Sequence, residues 1–209
     1  MGYNPEMEPL NDDRKVSWSD YRAWDDDKRW EIIGGRPYAM TAPKVSHQFV
    51  CGEIFARLHA HFKGRPCRLF ISPIDVRLSE YDAVQPDLLV VCDESQITST
   101  HIEGPPTLVS EVLSPSTQRH DRVRKLRLYA AAGVKEYWIV QPYPALAEVL
   151  SLEGESYRIA GTYTESETLK SPVFPDLELP LEEIFPSPDG EPIEEVRETP
   201  PPYASAILE

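Results

Sequence analysis

Val84-Gln85-Pro86-Asp87-Leu88-Leu89-Val90-Val91 is the stretch on which the fold turns. Four apolar residues follow Asp87 without a polar break, which predicts a strand over 84–91 buried on both faces. The next such run is Thr107-Leu108-Val109-Ser110-Glu111-Val112-Leu113, and it carries Glu111 inside it. A carboxylate in a buried strand is costly unless it is paired, protonated or bound to a cation. Two such strands, joined by a loop over 93–106, can lie side by side in one sheet with their acids meeting at one edge. Paired carboxylates are hard oxygen ligands suited to Mg2+ or Mn2+. The plainer alternative sets each acid at a strand end in solvent, or beside an Arg.

Working outward, residues 118–132 predict a cation-rich helix that Gly133 closes, with Val123, Leu126 and Ala130 as its core stripe. Arg122, Lys125 and Tyr129 share a neighbouring face. A Lys on that face can orient water or stabilise charge on a phosphoryl oxygen, or it can simply be solvated. Ser114-Pro115-Ser116-Thr117 reads as the turn and N-cap before the helix. Residues 136–140 predict the next strand. Upstream, Val50, Ile54, Leu58 and Phe62 recur at four-residue spacing and predict a helix over 46–63, stopped by Gly64. Short strands over 68–71 and 74–78 follow, then a turn at Tyr81-Asp82-Ala83. Gly34-Gly35 between two strand-like segments reads as a hairpin with a primed turn. Ser17, with Asp20 three residues on, caps a short first helix. A second hairpin is expected over 148–163, and a helical turn over 181–185. The central order, α-β-β-β-α-β, is a mixed sheet with helices on its faces, an α/β (α+β) class.

The 209 residues carry a net charge of −14 and a hydrophobic fraction of 41%, enough for one core. Residues 1–15 and the tail 186–209 read as disordered, leaving 16–185 as the domain. The tail holds six prolines, six acids and one Arg, so about −9 remains on the rest. An acidic chain binds nucleic acid only through a local basic patch. The arginines of the 118–132 helix, Arg119, Arg122 and Arg124, are candidates for phosphate contacts. No apolar run approaches a membrane span, and no signal-peptide h-region is visible, so a cytoplasmic protein is expected. Cys51, Cys67 and Cys92 are widely spaced, each beside apolar residues, and read as three buried thiols in a reducing compartment. No Cys-x-x-Cys pair points to a structural zinc site. His59 and His61 sit two apart in a helix, so they face different ways.

Several ordered motifs resemble the Uma-two family of restriction-endonuclease-like proteins. They are Trp30-Glu31-Ile32-Ile33-Gly34-Gly35, Ser46-His47-Gln48, the stretch at Pro86-Asp87, Glu111 to Thr117, Lys125-x-x-x-Tyr129, and Gly133 to Val140. The resemblance runs from about Val16 to Phe185. It implies a restriction-endonuclease-like PD-(D/E)XK core with Asp87 and Glu111 as metal ligands and the Val112 carbonyl as a third. Leu113 stands where the pattern's Lys is usual, and Lys125 resembles a lysine moved to the following helix. Glu31 and His47 match recurring family positions. Ser114 has no His partner and is not read as a nucleophile. The resemblance implies a Mg2+-dependent endonuclease acting on DNA, with a homodimer as its assembly. Exposed hairpin edges favour the same assembly. The alternative is a nuclease fold kept as a binding or assembly module, which the net charge favours.

Overall fold

The computed structural model describes residues 14–113 and 118–185, without the side chains of residues 118–122. The expected disorder of residues 1–13 and of the acidic tail, the 114–117 turn, and the arginines at 119 and 122 therefore lie outside the described residues.

A five-residue helix, α1 (Trp18–Arg22), opens the chain and is held by the Ser17–Asp20 capping box. The hairpin β1 (Trp30–Ile33) and β2 (Arg36–Ala39) follows, with both turn glycines at positive φ, as a primed turn requires. Next come α2 (Val45–Phe62), β3 (Arg68–Ile71), β4 (Val76–Ser79), β5 (Asp82–Val84), β6 (Leu88–Val91) and β7 (Ile102–Glu103). The chain continues through β8 (Leu108–Val112), α3 (Gln118–Ala132), β9 (Glu136–Gln141), β10 (Leu146–Glu153), β11 (Ser156–Thr164), β12 (Thr168–Lys170) and β13 (Glu178–Pro180), then a 3-10 turn over Leu181–Glu183.

The main sheet has the order β11-β10-β9-β8-β6-β3. Its centre is buried throughout β6 and β8 and nearly so in β9, as the unbroken apolar runs require. One face packs against α2 through Val50, Ile54, Leu58 and Phe62, together with residues of the 169–185 segment. The other face packs on α3 and on a second sheet of order β2-β1-β5-β4-β7. β8 and β9 run parallel and α3 is their crossover, so α3 lies against the sheet beside Glu111.

The main elements stand where sequence places them, and the differences have identifiable causes. The strand expected over 84–91 is two strands in two sheets. Pro86 lacks an N–H and cannot continue a ladder, so the chain leaves one sheet at Val84 and joins the other at Leu88. The expected turn at Tyr81-Asp82-Ala83 lies partly in β5. The expected 93–106 loop contains β7 and a 3-10 turn over Glu94–Gln96. Val123 is solvent-exposed rather than part of a core stripe. The buried face of α3 instead carries Lys125, Tyr129 and Ala130, because that face meets Glu111.

The cysteines also differ from expectation. Cys67 and Cys92 flank β3 and β6, whose register pairs Arg68 with Val91, so the next pair outward is Cys67 with Cys92. They form a disulfide with a Cα–Cα distance of 4.0 Å, and only Cys51 is a buried free thiol.

Candidate functional site

Register builds the site. β6 and β8 are antiparallel, with Leu88 opposite Ser110 and Leu89 opposite Val109. One step further along the same register, Asp87 falls opposite Glu111, where side chains on adjacent strands are close neighbours. Asp87 Oδ2 accepts a hydrogen bond from the Val112 backbone N–H at 2.8 Å, which ties the Pro86-Asp87 corner to β8.

Glu111 sits on the α3 side of β8, as the alternation with Val109 and Leu113 dictates. Its Oε1 accepts from Lys125 Nζ at 2.9 Å and from the Tyr129 hydroxyl at 2.7 Å. Lys125 and Tyr129 are one helical turn apart on α3, so a single face delivers both. Lys125 Nζ also lies 2.9 Å from Glu31 Oε1, and that same oxygen accepts from the Gln85 backbone N–H at 3.0 Å. Lys125 therefore bridges carboxylates from β1 and β8, one from each sheet.

The electrostatics follow from this arrangement. Burial alone pushes the Lys125 ammonium down, but the Glu111 and Glu31 carboxylates outweigh it and hold the pKa well above that of ordinary lysine. Burial pushes the Glu111 carboxyl up, Lys125 pulls it down, and the Asp87 and Glu31 charges push it up again, leaving it at about 7. Two further negative charges beside a buried acid, with one lysine among them, leave room for added positive charge.

His47, on the first turn of α2, places Nε2 3.1 Å from Asp87 Oδ2 and Nδ1 3.6 Å from Cys51 Sγ. Burial disfavours its imidazolium, but the Asp87 hydrogen bond and charge, with Glu111 and the Val112 backbone, raise its pKa overall.

Glu31, His47, Asp87, Glu111, Val112 and Lys125, separated by up to 94 residues in sequence, all line one cleft of about 460 Å3. Sequence reasoning missed three other groups there. Arg29 donates from Nε to Gln85 Oε1 at 2.8 Å and from Nη2 to Ser72 Oγ at 2.6 Å, both neutral acceptors. Cys51 reaches the cleft from α2. Tyr38, on the β2 wall, stacks with the Arg124 guanidinium 4.2 Å from its ring centroid, so this arginine of α3 faces the cleft's edge. Arg29 carries no local motif, and its place in the cleft follows only from the β1 pairing. The His47-x-x-x-Cys51 spacing is visible in the sequence, but Asp87 joins it only through the fold.

A hard cation fits the oxygen donors. Asp87, at the corner just before β6, and Glu111, on β8, are carboxylates in the same cleft, and the Val112 backbone bears on both Asp87 and His47. Among the described residues, no helix is long and apolar enough to cross a membrane.

Comparison with known proteins agrees with this architecture. A crystal structure from Anabaena variabilis ATCC 29413, described as a "putative nuclease", matches with a TM-score of 0.68 over 81% of this chain and 97% of that one. Its sequence identity is 16%, so the likeness is one of fold. An uncharacterized protein of Synechocystis sp. is 33% identical over 119 residues, which is 56% of this chain and 63% of that protein. The chain thus spans less than two thirds of that relative's length. The Uma2 family, described as "Putative restriction endonuclease", matches residues 18–182. With most of the chain covered by that match and a mixed α+β restriction-endonuclease-like fold around the cleft, the protein belongs to the Uma2 family.

Proposed function

We propose that this protein is a Mg2+- or Mn2+-dependent endonuclease that hydrolyses DNA phosphodiester bonds. The observation that carries the reading is Lys125 bridging Glu31 and Glu111 in the cleft that Asp87 also lines. A buried lysine between two carboxylates, with a third close by, is an arrangement for handling a cation and an anionic substrate together.

Asp87, Glu111 and the Val112 carbonyl would hold the cation, which when bound supplies Lewis-acid charge and an acidified water. The protein's own groups do the rest. Lys125 orients the attacking water and faces charge developing on the phosphoryl oxygens. Tyr129 and Glu31 fix Lys125 and Glu111 in place. His47 steadies Asp87 through Oδ2. Arg29, whose partners in the cleft are neutral, contacts a non-bridging phosphate oxygen. The stacked Tyr38–Arg124 pair extends the same contact along the backbone of the nucleic acid. These local cations let an acidic chain engage DNA.

The proposal extends to a cytoplasmic homodimer whose working unit is residues 16–185. The exposed nine-residue strand β11, at the edge of the main sheet, favours self-association. The Cys67–Cys92 bond pulls against the cytoplasm, where disulfides are rare. The test is cleavage of plasmid, single-stranded and branched DNA with Mn2+ or Mg2+, set beside Asp87→Ala. Cleavage by the wild type, lost together with metal binding in the variant, is expected. A wild type that binds metal and DNA but cleaves none of these substrates would favour a catalytically silent binding module.

A further inference from the structure

The nitrogen and sulfur groups on the α2 wall of the cleft are not ligands that a hard cation selects. We propose that His47, Cys51 and Asp87 form a second, soft-metal site that takes a divalent cation of the Zn2+ class.

His47 and Cys51 are four residues apart on α2, so one helix face presents the imidazole and the thiol together. Cys51 Sγ lies 3.6 Å from His47 Nδ1, and Asp87 Oδ2 lies 3.1 Å from His47 Nε2. One ligand atom from each residue falls within 4.8 Å of the other two. A tetrahedral Zn2+ with bonds of about 2.0–2.3 Å needs its ligand atoms roughly 3.3–3.8 Å apart, and because His47 now meets Cys51 and Asp87 through opposite ring nitrogens, the imidazole turns on binding so that one nitrogen serves the ion. Imidazole, thiolate and carboxylate are the donor types that zinc takes, whereas Mg2+ takes oxygen and discriminates against a thiol. All three residues line the open cleft, so a cation has an entry path and a fourth position for water. Cys51 is a free thiol, while Cys67 and Cys92 are bonded to each other and offer none. On binding, the Cys51 thiol gives its proton to solvent and the sulfur becomes the ligand.

Asp87 belongs to both cation positions if the nuclease reading holds. On that reading, a soft cation on His47, Cys51 and Asp87 draws on a ligand of the hard-cation position, and the two ions compete for that carboxylate.

The experiment titrates the full chain with Cd2+, a spectroscopic stand-in for Zn2+, and follows the thiolate-to-cadmium charge-transfer absorption. One equivalent is expected to saturate the band in the wild type. Cys51→Ala is expected to abolish it, and His47→Ala to weaken Cd2+ binding by at least about tenfold while keeping the thiol. Circular dichroism checks that each variant folds. If Cys51→Ala does not fold, Cys51→Ser and His47→Ala carry the test. No band in a wild type whose single free thiol is verified, or a band that survives in a folded Cys51 variant, would overturn the site. Repeating the titration in saturating Mg2+ tests the shared ligand. Weaker Cd2+ binding there is expected, whereas unchanged binding strikes the placement of Mg2+ on Asp87 and leaves the soft site standing. DNA cleavage does not enter the readout, so failure of the nuclease reading is seen separately.

Discussion

Replacing Lys125 by Ala removes the ammonium that bridges Glu31 and Glu111. Both contacts are 2.9 Å and the lysine is only 8% exposed, so the two carboxylates are left buried without their cation. Removing one partner of a buried pair costs about 3–5 kcal/mol. In a domain of this size that corresponds to a fall in Tm of roughly 6–20 °C. The loss depends on pH. Glu111 already stands at about 7 in the folded protein, against an ordinary value of 4.5, and without the lysine it climbs further. Between those values the folded chain keeps a proton that the unfolded chain releases, so stability falls as pH rises through that window. The deficit of Lys125→Ala is therefore smallest near pH 5 and largest at pH 8. Saturating Mg2+ restores part of it at pH 8, because a cation replaces the missing charge. Urea unfolding at both pH values, with and without Mg2+, measures each quantity. Cleavage by the variant is expected to fall at least about 100-fold, with Mg2+ affinity equal or slightly improved. A variant within about 0.5 kcal/mol of wild type at pH 8, as for an ordinary surface substitution, would refute the reasoning. Retained cleavage would remove Lys125 from the chemistry and leave Leu113, where a lysine is usual, uncompensated.

Arg29→Ala should leave Mg2+ binding intact but weaken DNA binding, lowering the slope of log K against log salt by about 0.9, as for one lost phosphate contact. An unchanged slope would place Arg29 in a structural role with Gln85 and Ser72 alone. Thiol titration of the purified, denatured chain should find one free thiol, that of Cys51, rather than three. Reducing Cys67–Cys92, which are 25 residues apart, should cost about 3.5 kcal/mol on the loop-closure account. Three thiols in the unreduced chain would restore the reading from sequence. Glu136 is fully buried and accepts from Trp138 Nε1, the Ser171 hydroxyl and the Val173 N–H. Glu136→Gln turns an amide NH2 toward one or more of these donors and should destabilise by about 1–3 kcal/mol. Burial raises the Glu136 carboxyl against those three hydrogen bonds, so wild-type stability declines as pH rises above 4.5, and the variant should lose that component of the slope. An identical pH profile in unfolding experiments would contradict this.

Local pattern was enough for much of the fold and for most of the candidate residues. The four-residue repeat from Val50 to Phe62 describes α2, because a helix buries one stripe. The apolar runs around 88–91 and 108–112 describe central strands, because only a sheet covered on both faces tolerates them. Asp87, Glu111 and Lys125 were legible as charges set in or beside buried elements, where charge is expensive. Tertiary structure decided what these groups meet. Asp87 falls opposite Glu111 through a register that no local window contains, and a one-residue slip would turn every side chain to the other face. Pro86 was visible, but which sheet each half of its strand joins depends on partners 18 to 51 residues away. Glu31 reaches Lys125, Cys67 reaches Cys92, and His47 with Cys51 reaches Asp87 by the same kind of pairing. Periodicity reports which face of an element is buried. Only the packed sheets determine which residue occupies the other side of the contact, because that choice is settled by register and crossover summed over the whole chain.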